Sequence, residues 1–215
     1  MTGEPRGMRE IWLSSTICAA LLVAAAFGAA NGGQWATTSD QCLGGRLDAP
    51  VRIEVFSDFQ CPACRAFYVS TIRQVLKDYS TRDKVCVVYH EFPLAMHPYA
   101  REAARYSVAA QRLGRAQWAA VVDALYENQE RWSLDGKIDA ALLGAVSAED
   151  FAKIKRMLGE ASIEDAIARD IALGQQRQVK STPTWFAMSS ITKEQKVEGP
   201  MDYRVLKPWV DANIK

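Results

Sequence analysis

The stretch VRIEVFSDFQCPAC, residues 51–64, is the most informative part of the chain because it runs from a strand pattern into a pair of cysteines. Residues 51–56 form a β-branched and aromatic run that is typical of a buried strand. After Cys64, apolar residues recur at helical spacing and share one face: Tyr68, Ile72, Val75, Leu76 and Tyr79. The sequence therefore predicts Cys61 and Cys64 on the first turn of a helix that follows a strand.

A cysteine pair at a helix start favours redox chemistry. Unpaired N–H groups at that end stabilise a thiolate, which is the attacking species in disulfide exchange. Cys61 and Cys64 stand at i and i+3, so their sulfurs can bond without unfolding the turn. Pro62 suits the first turn because it has no N–H to lose there. We predict a redox pair.

A zinc half-site is the alternative interpretation of the two cysteines. Zinc usually takes four protein ligands, and the chain contains neither a second Cys-x-x-Cys nor a His-x3–5-His. We therefore predict no metal site, and we interpret His90 and His97 as structural. A net charge of +1 gives no reason to expect nucleic acid as a partner.

Residues 11–30 carry no charge and follow Arg6 and Arg9. This pattern predicts either an uncleaved membrane anchor or a signal peptide cleaved after the small residues 28–30. Both alternatives place the folded part outside the cytoplasm, in the periplasm. Residues 31–48 read as a polar tether and a lead-in segment.

The rest of the chain alternates between strand patterns and one long helical region. Strands are predicted over residues 51–56, 85–89, 184–188 and 196–198. The first two flank a helix, so we expect them to be parallel neighbours. Helical spacing dominates residues 98–179, and Ser162 is expected to cap one of the helices there.

Three segments resemble the thioredoxin superfamily, and within it the exported DsbA-like thiol:disulfide oxidoreductases. They are residues 57–64, residues 181–184 (STPT) and the EFPL of residues 91–94 followed by His97. The resemblance implies an α/β thioredoxin-like fold with a central mixed sheet flanked by helices. That domain would comprise residues 49–97 and 180–215, with an all-helical insertion at 98–179 and the leader or anchor helix at 1–30.

The resemblance also implies the site and the partners. Cys61 and Cys64 would be catalytic and would form the redox-active disulfide, with no other cofactor. Thr182 and Pro183, joined by a cis peptide bond, would support them together with Pro62 and Ala63. The partners would be reduced exported proteins and a quinone-coupled membrane protein of the DsbB or vitamin-K-epoxide-reductase type. We expect a monomer that acts as a dithiol oxidase; a reductase or isomerase and a copper-handling or binding module are the alternatives.

The chain departs from the family near the cysteines. Relatives often carry an acidic residue where Val55 stands, whereas Glu54 points to the opposite side of the strand. Glu54 is therefore either a proton acceptor for Cys64 or a salt-paired residue. Ala63 offers no side-chain donor, and a helix end alone is worth ~0.3–2 kcal/mol. We expect a redox potential more oxidising than that of thioredoxin but short of the strongest oxidants.

Two cysteines remain outside the pair and the leader. In a thioredoxin-like sheet the lead-in segment runs beside the second strand, which would bring Cys42 close to Cys86. We hypothesise a structural disulfide between them, since four cysteines are an even number in an oxidising compartment. The alternative is a free Cys42 and a Cys86 that simply packs in the core.

Overall fold

The computed structural model describes residues 42–214, which are built around a mixed sheet. Its strands are β1 (Cys42–Gly44), β2 (Val51–Ser57), β3 (Val85–Glu91), β4 (Thr184–Ser189) and β5 (Gln195–Glu198). They lie in the order β1-β3-β2-β4-β5. β2 and β3 are parallel, as predicted, and the other neighbouring pairs are antiparallel. The thioredoxin-like sheet expected from the sequence is thus confirmed.

Strand β1 lies where the lead-in segment was expected, beside β3. Cys42–Gly44 pairs with β3, with Cys42 opposite Val88, so the segment adds a short strand that the sequence pattern did not indicate. A strand of three residues that ends in the first of two consecutive glycines has too little alternation to be recognised from the sequence.

The helix that begins beside the cysteines is continuous over three elements. These are α1 (Pro62–Phe67), a π-helical turn (Tyr68–Ile72) and α2 (Arg73–Asp78), followed by a 3₁₀ turn (Ser80–Arg82). Its apolar face packs on the sheet, where Phe67 stacks on Trp185 of β4 with ring centroids 5.4 Å apart. Burying a large side chain of this kind stabilises a fold by about 1.5–3 kcal/mol, so the contact holds the cysteine-bearing helix against the sheet.

Six helices occupy the region between β3 and β4, where helices were predicted. They are α3 (Ala100–Leu113), α4 (Arg115–Glu127), α5 (Gln129–Asp135), α6 (Ile138–Leu142), α7 (Ala148–Met157) and α8 (Ala161–Gln176). The last helix, α9 (Tyr203–Asn213), follows β5. The predicted cap at Ser162 is wrong, because Glu160 has the extended backbone of an N-cap and α8 begins at Ala161.

The two faces of the sheet bury different sets of side chains. Ile53 and Val55 join the main core around the cysteines. Phe56 on the opposite face packs with Phe92 and Phe186. Helix α8 approaches this second face closely at Gly174, where an added Cβ would lie 2.5 Å from the Phe92 ring. The face that carries Val55 therefore positions the candidate site.

The predicted leader or anchor at residues 1–30 and the tether at 31–41 lie outside the described residues. Within residues 42–214, none of the helices combines the length and the apolar character needed to cross a bilayer.

Candidate active site

Cys61 occupies the N-cap of α1, and Pro62 is the first residue of that helix. The backbone at Cys61 is extended, with φ −75° and ψ 121°, and its carbonyl accepts a bond from Arg65 N. Pro62 therefore stands where a missing N–H costs no helical hydrogen bond. The first turn of α1 brings Cys64 beneath Cys61, and both are free thiols in this structure.

The Cys61 thiol is strongly acidic. A hydrogen bond from the Cys64 thiol is the largest influence, and the backbone N–H groups of Cys64 and Ala63 and the Thr182 hydroxyl act in the same direction. Burial opposes them, yet together they lower the pKa of Cys61 to about 5. The depression exceeds what the helix end alone provides, because a second thiol and a distant threonine also favour the thiolate. The sequence alone does not reveal these two neighbours.

Cys64 has the opposite character. Its side chain is 1% exposed, against 7% for Cys61. Burial and the nearby Cys61 sulfur raise the pKa of Cys64 well above that of an ordinary thiol. The backbone N–H of Asp58 donates to the Cys64 sulfur across 3.5 Å, and the Ser57 hydroxyl also favours the thiolate, but neither offsets burial. One sulfur is thus an anion near neutral pH and the other a buried thiol.

Thr182 and Pro183 lie directly against Cys61. The peptide bond between them is cis, as the resemblance implied. The Cys61 thiol donates to the Thr182 carbonyl oxygen across 3.4 Å. The loop is fixed at its far side, where the Pro183 carbonyl accepts from Gly199 N and the Thr184 hydroxyl donates to the Ser181 carbonyl.

Asp58 organises the loop that precedes the cysteines. One carboxylate oxygen accepts from Gln60 N at 2.7 Å, and the other accepts from Leu94 N and contacts His97 Nδ1, each at 2.8 Å. His97 is therefore tied to the loop of the site by a carboxylate. Asp58 was not singled out by the sequence, since its partners lie 36 and 39 residues away in the chain.

The helical region also reaches the site. Gln129, the first residue of α5, donates its side-chain amide to the carbonyls of Phe59 and Cys61 at 2.6 and 3.0 Å. Arg65 points away from the sulfurs and donates to the Tyr126 carbonyl. The cation nearest in sequence thus anchors α1 to α4 and is not among the groups that lower the pKa of Cys61.

A row of buried hydroxyls lies behind Cys64. Ser57 and Tyr126 are hydrogen bonded at 2.7 Å, and Tyr126 and Tyr89 at 2.5 Å. Burial raises the pKa of both tyrosines well above the ordinary value. The sequence analysis missed this row, because its three members come from β2, α4 and β3 and no local pattern links them.

Glu54 belongs to an ion-paired cluster on the other face of the sheet. It pairs with Arg52 and Arg177, and His90 lies between Glu54 and Asp170. Despite burial, His90 and the two guanidinium groups lower the pKa of Glu54 to about 2. Of the two roles considered for Glu54, the structure contains the salt-paired one.

Cys42 and Cys86 are bonded as a disulfide with their Cα atoms 5.8 Å apart. The bridge joins β1 to β3, and both residues are fully buried with Val88. The hypothesised structural disulfide is therefore present. Across residues 42–214, no group of three or more histidine, cysteine, aspartate or glutamate side chains is placed to hold a metal ion.

Comparison with protein families identifies the chain. Residues 37–212 match the family model described as Thioredoxin. The chain belongs to the thioredoxin family. Together with the strand-to-helix cysteine pair and the cis proline that follows Thr182, this match confirms the thioredoxin-superfamily resemblance seen in the sequence.

Individual relatives agree with this assignment. A Bacillus cereus protein named "Probable disulfide bond formation protein D" is 24% identical over 185 residues, which are 84% of this chain and 82% of that protein. The thiol-disulfide exchange protein α-DsbA2 of Wolbachia pipientis has a similar structure (TM-score 0.64, 22% identity, 79% of this chain and 84% of that one). DsbA2 of Pseudomonas aeruginosa also has a TM-score of 0.64, with 21% identity over 82% of this chain and 94% of that one. This thioredoxin-family chain is a protein-disulfide oxidoreductase.

Proposed function

We propose that this protein is an extracytoplasmic dithiol oxidase that introduces disulfides into exported proteins through Cys61 and Cys64. The observation that supports the proposal best is the contrast between the two sulfurs. A Cys61 thiolate with a pKa of about 5 is a good leaving group, and a buried Cys64 keeps the second sulfur away from substrates. A stabilised reduced form favours transfer of the disulfide to a client.

The proposed cycle consists of two thiol–disulfide exchanges. A client thiolate attacks Cys61 of the oxidised pair, the bond to Cys64 breaks, and a mixed disulfide forms between Cys61 and the client. A second client thiolate then attacks the client sulfur of that bond and releases Cys61 as a thiolate. The client has lost two electrons and gained a disulfide, while the enzyme leaves as a dithiol.

Client binding is proposed beside Thr182. The Thr182 carbonyl oxygen lies 3.4 Å from the Cys61 sulfur. Neither the Cys61 thiolate nor a mixed disulfide at Cys61 has a proton to donate, so this carbonyl is available to a backbone N–H of the client. An extended client segment would then pair with the chain at Thr182 as an added strand. Pro62 and Ala63 would form the other side of this contact.

Regeneration of the oxidised pair requires an electron acceptor. We propose a quinone-coupled membrane protein of the DsbB or vitamin-K-epoxide-reductase type, in line with the family and with the leader predicted at residues 1–30. That leader would act as a signal peptide or an anchor and deliver the enzyme to the periplasm. The enzyme is proposed to work as a monomer, with the Cys61–Cys64 disulfide as its redox group and neither metal nor nucleic acid involved.

Two assays distinguish the oxidase from its alternatives. An oxidase restores activity to reduced ribonuclease, and the Cys61→Ser variant does not. Faster recovery from scrambled than from reduced ribonuclease would identify an isomerase instead. Tight Cu(I) binding without oxidation of either substrate would identify a copper-handling module. Gel filtration completes the set, because an isomerase of this family is expected to be a dimer.

A further inference from the structure

Glu91 is a buried carboxyl group that the proposed cycle has not used. It ends β3, its side chain is 3% exposed, and its Oε2 atom has no hydrogen-bond partner among the described residues. An unpartnered buried carboxylate oxygen is costly to a fold. Its presence next to the candidate site therefore calls for a functional account.

Glu91 lies beside the hydroxyl row that reaches Cys64. Ser57 of β2 is the register partner of Glu91 in the parallel pair. Tyr89 is two residues before Glu91 in β3 and so shares its face. The Ser57 hydroxyl interacts with the Cys64 sulfur and is bonded to Tyr126, which is bonded in turn to Tyr89. The hydrogen-bonded hydroxyls begin beside the Cys64 sulfur, and the strand register places the Glu91 carboxyl next to the Ser57 hydroxyl on the same face of the sheet.

Cys64 must gain and lose a proton during disulfide exchange. When a thiol attacks Cys61, the S–S bond breaks and Cys64 leaves with its electron pair as a thiolate. That thiolate is buried, so it must acquire a proton. The same proton must leave again when the pair is reoxidised. Solvent has poor access to a sulfur whose residue is 1% exposed, and Glu54 is engaged with arginines on the opposite face of the sheet.

We propose that Glu91 supplies and takes back the proton of Cys64 through the hydroxyl of Ser57 and the adjoining tyrosine hydroxyls. The neutral carboxyl gives its proton to the row, the row passes one to the Cys64 thiolate, and Glu91 is left as a carboxylate. Reoxidation reverses the transfer. No additional oxidant or reductant takes part, since only a proton moves. This inference rests on the proposed use of the Cys61–Cys64 disulfide.

The groups around Glu91 suit this role. Burial is the main cause that raises the pKa of Glu91 well above that of a free carboxyl, and Asp170 of α8 and Asp58 of the cysteine loop add to it. The Ser107 hydroxyl of α3 favours the carboxylate instead. The histidines nearest these aspartates are bound to them, His90 to Asp170 and His97 to Asp58. A carboxyl with a raised pKa is better matched to proton transfer near neutral pH than an ordinary carboxyl.

The inference is tested on the exchange step alone. Oxidised protein is mixed with excess dithiothreitol, and the loss of the Cys61–Cys64 disulfide is followed by stopped flow from about pH 6 to pH 10. Glu91→Gln keeps the shape of the side chain and removes its acidity; Ser57→Ala interrupts the row. Glu54→Gln and Ser80→Ala are the matched controls, a buried carboxylate and a buried serine outside the row.

We expect Glu91→Gln to slow the exchange by about 100-fold near neutral pH, the lower end of what general acid–base transfer contributes. Ionisation of dithiothreitol changes both rates equally, so it cancels in the ratio of the variant rate to the wild-type rate. This ratio should approach one at high pH, where Glu91 of the wild type has itself lost its proton. The double variant Glu91→Gln with Ser57→Ala should be no slower than the slower single variant, because both act on one path.

Three results would overturn the inference: a Glu91→Gln rate within about twofold of wild type, a ratio that is the same at every pH, or an equal loss in Glu54→Gln. If circular dichroism shows that Glu91→Gln is unfolded, the exchange rates of Ser57→Ala and Ser80→Ala are compared instead. Equal rates in these two variants would contradict the proposal. Dithiothreitol reduces the pair whatever the client. Failure of the ribonuclease assay would therefore reject the oxidase function, and failure here would reject only the role of Glu91.

Discussion

The Cys61 sulfur lies 3.4 Å from the carbonyl oxygen of Thr182, although 121 residues separate the two in the chain. Cys61 is fixed by the start of α1, and Thr182 by the loop that leads into β4. Because β4 pairs with β2, the sheet brings the two segments together. The reactive sulfur and the backbone proposed to bind a client are therefore parts of one site.

Replacement of Thr182 by valine should make Cys61 less acidic. The Thr182 hydroxyl is buried and is one of the groups that lower the pKa of Cys61, and valine keeps the shape without the donor. We expect the pKa of Cys61 to rise and the pair to become less oxidising. Ultraviolet absorbance of the thiolate against pH measures the first effect. Thr192→Val, whose hydroxyl bonds Ser189, is the control, and an unchanged pKa in Thr182→Val contradicts the assignment.

The redox potential of the pair should lie between those of two well-known relatives. A Cys61 pKa of about 5 falls between thioredoxin, at ~7, and DsbA, at ~3.5. Since a more stable thiolate favours the reduced enzyme, we expect a potential between about −270 mV and about −120 mV. Equilibration with glutathione buffers and counting of free thiols measures it. A value at or below that of thioredoxin would be incompatible with a dithiol oxidase.

The Cys42–Cys86 bridge should stabilise the fold without taking part in turnover. It links β1 to β3 and closes a chain segment of 44 residues. Cross-links of this length contribute about 2–4 kcal/mol. The double variant Cys42→Ala with Cys86→Ala should therefore lose stability of that order in urea unfolding while oxidising reduced ribonuclease at the wild-type rate. Equal stabilities, or a parallel loss of oxidation, would show that the bridge has another role.

The cluster around His90 should give the protein a defined pH dependence of stability. Burial disfavours its charge, but Asp170 and Glu54 outweigh this and raise the pKa of His90 from 6.5 to about 9. A raised pKa contributes stability that is complete below pH 6.5 and is lost as pH rises towards 9. The stability difference between wild type and His90→Asn should shrink over that interval.

The contribution of Glu54 to stability has the opposite pH dependence. Its pKa falls from 4.5 to about 2, so its contribution is complete above pH 4.5 and is lost as pH falls through 2. Both contributions are complete between pH 4.5 and 6.5. Urea unfolding of wild type and His90→Asn across pH 5 to 9 tests this window, and a difference that grows with pH would contradict the paired arrangement.

Local sequence patterns were enough to predict those parts of the site that a single strand-to-helix segment forms. Cys61, Pro62 and Cys64 follow from a strand that runs into a helix, and the Thr182–Pro183 loop was reached through the family resemblance. The strength of the Cys61 acidity was not predictable, because its donors include a second thiol and a residue from the other end of the domain.

The buried neighbours of Cys64 could not be predicted from the sequence either. Ser57, Tyr126 and Glu91 are ordinary residues within three separate elements, and only the β2–β3 register and the packing of α4 bring them together. Ser162 illustrates the converse, because a cap-like local pattern was overridden where the extended backbone of Glu160 started α8 earlier.

The proposed chemistry depends on the acidity of Cys61, which titration of the reduced protein measures. Thiolate absorbance should rise with a midpoint near pH 5, since the Cys64 thiol, the helix-end N–H groups and Thr182 all stabilise the anion. The transition should be absent in Cys61→Ser. A midpoint near 9, the value of an unperturbed thiol, would contradict the account.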